Sequence, residues 1–108
     1  MSQQSQPWRP AVATTEIRRI ARDPTCGFAC TEHARERLNE RSLIISDVLF
    51  VLRQGYVYAD PEPSTVSGLF KYKVEGQSPN SGARFLRMVV IPDRRASEIK
   101  VVTVMWRD

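Results

Sequence analysis

Leu69-Phe-Lys-Tyr-Lys-Val-Glu75 alternates: Phe70, Tyr72 and Val74 fall on one side of an extended chain, and Leu69, Lys71, Lys73 and Glu75 on the other. A period of two, with an apolar and a charged side, predicts a strand lying on a core with its lysines turned outward. Arg84-Phe-Leu-Arg-Met-Val-Val-Ile91 repeats the pattern, setting Leu86, Met88 and Val90 against Phe85, Arg87, Val89 and Ile91. This run reads as apolar on both sides except at Arg87. Residues 56–59 and 99–106 are further β-branched or aromatic runs, and Pro, Gly, Asn, Ser and Asp clusters separate all four. Consecutive antiparallel strands are punctuated in this way. The connection over residues 77–82 is too long for a tight hairpin.

Upstream the period lengthens. Val12, Ile17, Ile20 and Ala21 predict an amphipathic helix that docks on the core, leaves Arg18, Arg19 and Arg22 solvated, and stops at Asp23-Pro24. After a short strand at Cys26-Gly-Phe-Ala-Cys30, Thr31 is the expected N-cap of a second helix reaching about Arg41. Ser46 is the expected cap of a third, whose apolar side is Val48, Leu49, Val51 and Leu52, with Gly55 ending it in the left-handed conformation. Residues 1–10, polar around a lone Trp8, read as a disordered tail. Residues 11–108 read as a single α+β domain, N-terminal helices packed on a four-stranded antiparallel sheet with residues 99–106 as its open edge.

At 108 residues, one core can form without disulfide or metal. A formal net charge of +4 favours acidic partners, nucleic acid first among them. Only three of the 16 basic residues are lysine, and the guanidinium forks of the remainder suit phosphate and carboxylate. Codon bias in a GC-rich genome would give the same excess. Cys26, Cys30 and His33 form C-x3-C-x2-H, which lacks the usual C-x2-C spacing and a second ligand pair; two reduced thiols and no metal are expected. Walker, dinucleotide-binding, serine-hydrolase and zincin motifs are absent, so no cofactor is expected. No apolar run is long enough to span a bilayer, and the first six residues lack the regions of a secretory signal, so the expected address is the cytoplasm, with no membrane partner.

The chemistry-bearing residues fall in two groups. His33, Arg37 and Arg41, four apart, stand on one helical line beside apolar Ala34 and Leu38. This cationic line could grip phosphate, or, with Glu32, Glu36 and Glu40 beside it, could be a solvated helix face. Arg87 must find an anion, a carboxylate or water, because burying it unpaired is very costly. In register with Lys71 or Lys73 it would build a positive pocket on the open sheet face; otherwise it pairs with Glu75 or Glu98.

His33-Ala34, Arg37, Arg41, Ser46-Asp47-Val48, Gly55 and Val101-Val102-Thr103-Val104, taken in order, resemble a small bacterial family of unknown function over residues 28–106. That family is similar in organisation to RelE/ParE-type toxins, which place helices ahead of a curved antiparallel sheet. The resemblance implies a metal-independent endoribonuclease of a toxin-antitoxin system. His33 would be acid or base, Lys71, Lys73 and Arg87 would stabilise charge on phosphate, and Arg84 would join the basic sheet residues. Base-assisted attack by the ribose 2′-hydroxyl is the implied reaction. Two departures stand out. The chain ends in Trp106-Arg107-Asp108 without the Tyr or His that related nucleases carry beyond the last strand, and ParE-like relatives inhibit gyrase instead of cutting RNA.

Three functional expectations follow. The first is the endoribonuclease, acting on RNA and restrained by an antitoxin-like protein. The second is a non-catalytic module binding nucleic acid through Arg37, Arg41 and Arg87, or an acidic protein through the same patch. The third is a structural protein forming a homo-oligomer at a sheet edge.

Overall fold

Three helices form where the apolar spacing places them, and the computed structural model describes them within residues 5–79, 82 and 84–107. Helix α1, Pro10–Arg22, begins with proline at a position whose N–H has no helical partner, and it buries Ile17 and Ile20. Helix α2 is Glu32–Glu40, and Thr31 caps it as expected: its Oγ1 accepts the Ala34 N–H at 3.1 Å. The same hydroxyl donates to the Val102 carbonyl at 2.9 Å, tying the helix start to the sheet. Thr31→Ala is therefore expected to cost about 1–2 kcal/mol. A urea midpoint unchanged by that substitution would show that the cap contributes nothing.

Helix α3, Ile45–Gln54, corrects two expectations. Ser46 does not cap it; the buried carboxylate of Asp47 reaches back to accept the Ile44 N–H at 3.0 Å. Gly55 ends the helix at φ −81, so it is not left-handed. It is glycine because a Cβ there would lie 2.5 Å from the Glu75 carbonyl oxygen.

The sheet has six strands among the described residues: β1 Gly27–Cys30, β2 Tyr56–Val57, β3 Glu62–Pro63, β4 Phe70–Gly76, β5 Leu86–Asp93 and β6 Glu98–Trp106. Their order is β1-β6-β5-β4-β2, with β3 also paired to β4. The fold is α+β as expected, but the sheet is neither four-stranded nor wholly antiparallel. Strand β1 adds in parallel to β6, with Gly27 opposite Glu98 and Cys30 opposite Val101. Residues 98–101 are thereby internal, so the expected open edge is covered over that part of β6. The connection expected over residues 77–82 joins β4 to β5; its residues 80 and 81 lie outside the described set.

The core lies between the helices and one face of the sheet. Tyr72, Val74, Leu86, Met88, Val90, Ile99, Val101 and Val104 meet Ile17, Ile20, Ala34, Leu38, Val48, Val51 and Leu52 there. Val101 and Val104 could not both face the core in an uninterrupted strand, because residues three apart point to opposite sides. A bulge resolves this: Val89 pairs with Thr103 but Val90 pairs with Val101, leaving Val102 as the extra residue.

Residues 5–9 are not the free tail expected of them; residues 1–4 lie outside the described set. Trp8 is buried and stacks on Tyr72 with centroids 5.6 Å apart. Its backbone N–H donates to the Tyr72 hydroxyl at 3.0 Å, and Gln6 bridges the Phe70 N–H to the Pro92 carbonyl. One large aromatic and one amide supply what the polar composition conceals.

Candidate nucleic-acid interface

Opposite the core, no helix among the described residues covers the sheet. Strand alternation sends Lys71, Lys73 and Glu75 of β4 and Arg87, Val89 and Ile91 of β5 to this open face. Tyr56 lies opposite Glu75 in register, and so, on the other side, does Arg87. Three strands thus deliver a phenol, a carboxylate and a guanidinium to one row.

Glu75 is the centre of that row and is 3% exposed. Its Oε1 accepts from Arg87 Nε at 2.9 Å; its Oε2 accepts from the Tyr56 hydroxyl at 2.8 Å and from Arg107 Nη1 at 3.0 Å. Burial pushes the carboxyl upward, but the hydrogen bonds from Arg87, Tyr56 and Arg107 outweigh it and hold the group below its ordinary value. Each guanidinium is also stacked: Arg87 lies 4.5 Å from the Tyr58 ring centroid and Arg107 4.2 Å from that of Phe85. Aromatic floor and carboxylate wall fix both planes while their outer edges stay in solvent.

The hydrogen bond to Glu75 raises the Tyr56 hydroxyl above its ordinary value, and burial raises that of Tyr58. Both phenols therefore keep their protons near neutral pH. Lys71 and Lys73 stand two residues apart on β4, about 7 Å along the strand. Neither ammonium has an ion-pair partner among the described residues.

The other sequence-derived candidates lie elsewhere. His33 is exposed on α2, in the helical layer beyond the core, so it does not join Lys71, Lys73 and Arg87. Arg37 and Arg41 share its line, with Arg37 Nε 3.5 Å from His33 Nε2, but both donate to Glu40, at 2.7 and 3.3 Å. The hydrogen bond from Arg37 holds the Glu40 carboxyl low. Arg84 stacks on Trp106, with 4.0 Å to the ring centroid. The structure thus places Lys71, Lys73 and Arg87 on one face, with Arg87 in register with Glu75 and not with either lysine, and separates them from His33, Arg37 and Arg41.

Sequence reasoning missed Arg107, Tyr56 and Tyr58 and gave Glu75 no role beyond that of a salt-bridge partner. The alternation of β4 carried the only available signal, a carboxylate in the same row as two lysines and opposite an arginine.

Cys26 and Cys30 are free and half-buried, and burial pushes both thiols upward. Among the described residues no three His, Cys, Asp or Glu side chains gather to hold a metal ion, and no helix is long and apolar enough to cross a membrane. No curated protein and no solved structure matches the chain. A family model does match, over residues 30–106, which hold α2, α3 and β2 to β6 together with the whole Glu75 row except Arg107. The chain belongs to the family described as a domain of unknown function, DUF4258.

Proposed function

We propose that the protein binds RNA through the open face of its sheet, with Lys71, Lys73, Arg87 and Arg107 on the phosphate backbone. The observation that carries this reading is the Glu75 row. One buried carboxylate holds two stacked guanidinium groups in place, so they lose little side-chain freedom on meeting a phosphate. Two guanidinium groups against one carboxylate leave a surplus positive charge, to which Lys73 adds, while Lys71 has Glu62 opposite it in register. Exposed Tyr56 offers an aromatic surface beside those charges, the combination that single-stranded nucleic acid uses.

The test is a salt titration of binding to a fluorescein-labelled oligouridylate. The slope of log K against log salt should fall by about 0.7 for each lost phosphate contact, and so by about 1.4 in the Lys71→Ala/Lys73→Ala variant. A slope unchanged by the double substitution would remove the lysines from the interface. Absence of binding at low salt would remove the function.

Cleavage of the bound RNA, in the manner of a toxin-type endoribonuclease, is a second reading. Lys71 and Lys73, without an ion-pair partner among the described residues and on the same face as Arg87, favour it, as positive charge fit to stabilise a developing dianionic phosphate. Its difficulty is the proton. His33 lies in the other layer, both tyrosines keep theirs, and Glu75 is buried under three donors. Incubation of RNA with the protein in EDTA separates the readings: fragments ending in 2′,3′-cyclic phosphate would establish cleavage, and intact RNA leaves binding alone. On either reading, an acidic antitoxin-like protein covering this face would compete with RNA.

A further inference from the structure

Four arginines at the far ends of α1 and α3 form a second basic surface, and three of them bond to backbone instead of to carboxylates. Arg18 Nε donates to the Gly55 carbonyl at 2.8 Å and its Nη2 to that of Gln54 at 3.1 Å. Arg22 Nη2 donates to the Arg53 carbonyl at 2.8 Å, and Arg53 Nε returns the bond to the Ala21 carbonyl at 2.9 Å. Each helix thus supplies cations to the other's C-terminal carbonyls, so these arginines are not merely solvated as their spacing predicts. The half-charges of two helix ends offset only part of three guanidinium charges. Arg19 adds a fourth, with its side chain 60% exposed and 3.8 Å from Glu16.

Thr15, Arg18, Arg19, Arg22 and Asp23 line a shallow hollow on this surface. Its single carboxylate, Asp23, accepts from the Thr25 N–H and hydroxyl and from the Ser97 hydroxyl. Gly55 and Tyr56 link this surface to the Glu75 row. Gly55, which holds Arg18, packs against the Glu75 backbone, and the next residue is Tyr56, whose hydroxyl binds the Glu75 carboxylate.

We propose that Arg18, Arg19, Arg22 and Arg53 form a second phosphate-binding patch, so that one RNA strand runs from the open sheet face round the β2 edge onto the helical layer. The inference rests on the RNA reading of the open face and extends it. Helix α1 lies outside the residues that match the family, so three of the four arginines are additional to the family's matched unit.

The experiment compares oligouridylates of about six and about 20 nucleotides, because only the longer can occupy both surfaces at the site sizes typical of single-strand binders. In Arg19→Gln/Arg22→Gln the salt slope for the long oligomer should fall by about 1.4, and that for the short one should not change. Arg19→Gln alone, which disturbs no cap, should give about half that change on the long oligomer. Arg19→Lys/Arg22→Lys should restore the slope, since it depends on charge. Equal slopes for parent and both Gln variants on the long oligomer would overturn the second patch while leaving the first intact. Failure of the parent protein to bind either oligomer would overturn the RNA reading itself, and this inference with it.

Discussion

Gly55→Ala should destabilise the fold by about 3 kcal/mol, near the upper end of what one added carbon costs in a packed site. The new Cβ would lie 2.5 Å from the Glu75 carbonyl oxygen and 2.7 Å from that of Val51, and both obstacles are backbone. No side chain can rotate away, so α3 and β4 must separate. Backbone conformation is not the cause, since φ −81 suits alanine. Gly68 supplies the control: it has φ +87 with open space around it, and Gly68→Ala should cost only about 1 kcal/mol through strain. Urea unfolding of the two variants compares them directly. Equal stability of Gly55→Ala and parent would mean that helix and strand do not approach so closely at this point.

Glu75→Gln should lower stability at pH 7 by about 2 kcal/mol, because an amide replaces an ionised acceptor of three hydrogen bonds. The pH dependence follows from the direction of the carboxyl's shift. Burial raises its value, the bonds from Arg87, Tyr56 and Arg107 lower it by more, and the native value ends below the unfolded one. The folded state therefore binds fewer protons than the unfolded state in this range, so stability rises with pH there. Its contribution is complete above the unfolded value and is lost as pH falls through the native one. The difference between parent and Glu75→Gln should be constant near neutrality and shrink below about pH 4. A difference of the same size at pH 7 and well below pH 4 would mean that the ionised carboxylate is not its source.

The two long central strands were legible in their alternation: Tyr72, Val74, Leu86, Met88 and Val90 face the core as a period of two requires. The helices were legible in Ile17, Ile20, Ala34, Leu38, Val48, Val51 and Leu52. What escaped depends on contacts distant in sequence. Gly27–Cys30 has no alternation to declare a parallel partner at Glu98 to Val101, so the covering of β6 could not be foreseen. The bulge at Val102 is equally silent, since the β-branched run Val101-Val102-Thr103-Val104 reads much the same in either register. Trp8 looked isolated in a polar segment because its partner, Tyr72, lies 64 residues away.

The candidate site divides in the same way. That Lys71 and Lys73 share an outward face followed from their spacing, and Glu75 was named among the partners able to satisfy Arg87. Arg107 lies past the last strand and Tyr56 at the mouth of a two-residue one, where no period assigns a face. The line of His33, Arg37 and Arg41 was correct as helical geometry, yet a helix period does not tell which side of a sheet the helix will occupy.

Mapping the RNA contact by amide chemical-shift changes in the labelled full chain, during titration with oligouridylate, tests the central claim most directly. Changes concentrated at Lys71, Lys73, Glu75, Arg87 and Arg107, with His33 and Arg37 unmoved, are the predicted result. Changes confined to the α2 line, or none at all at low salt, would contradict it.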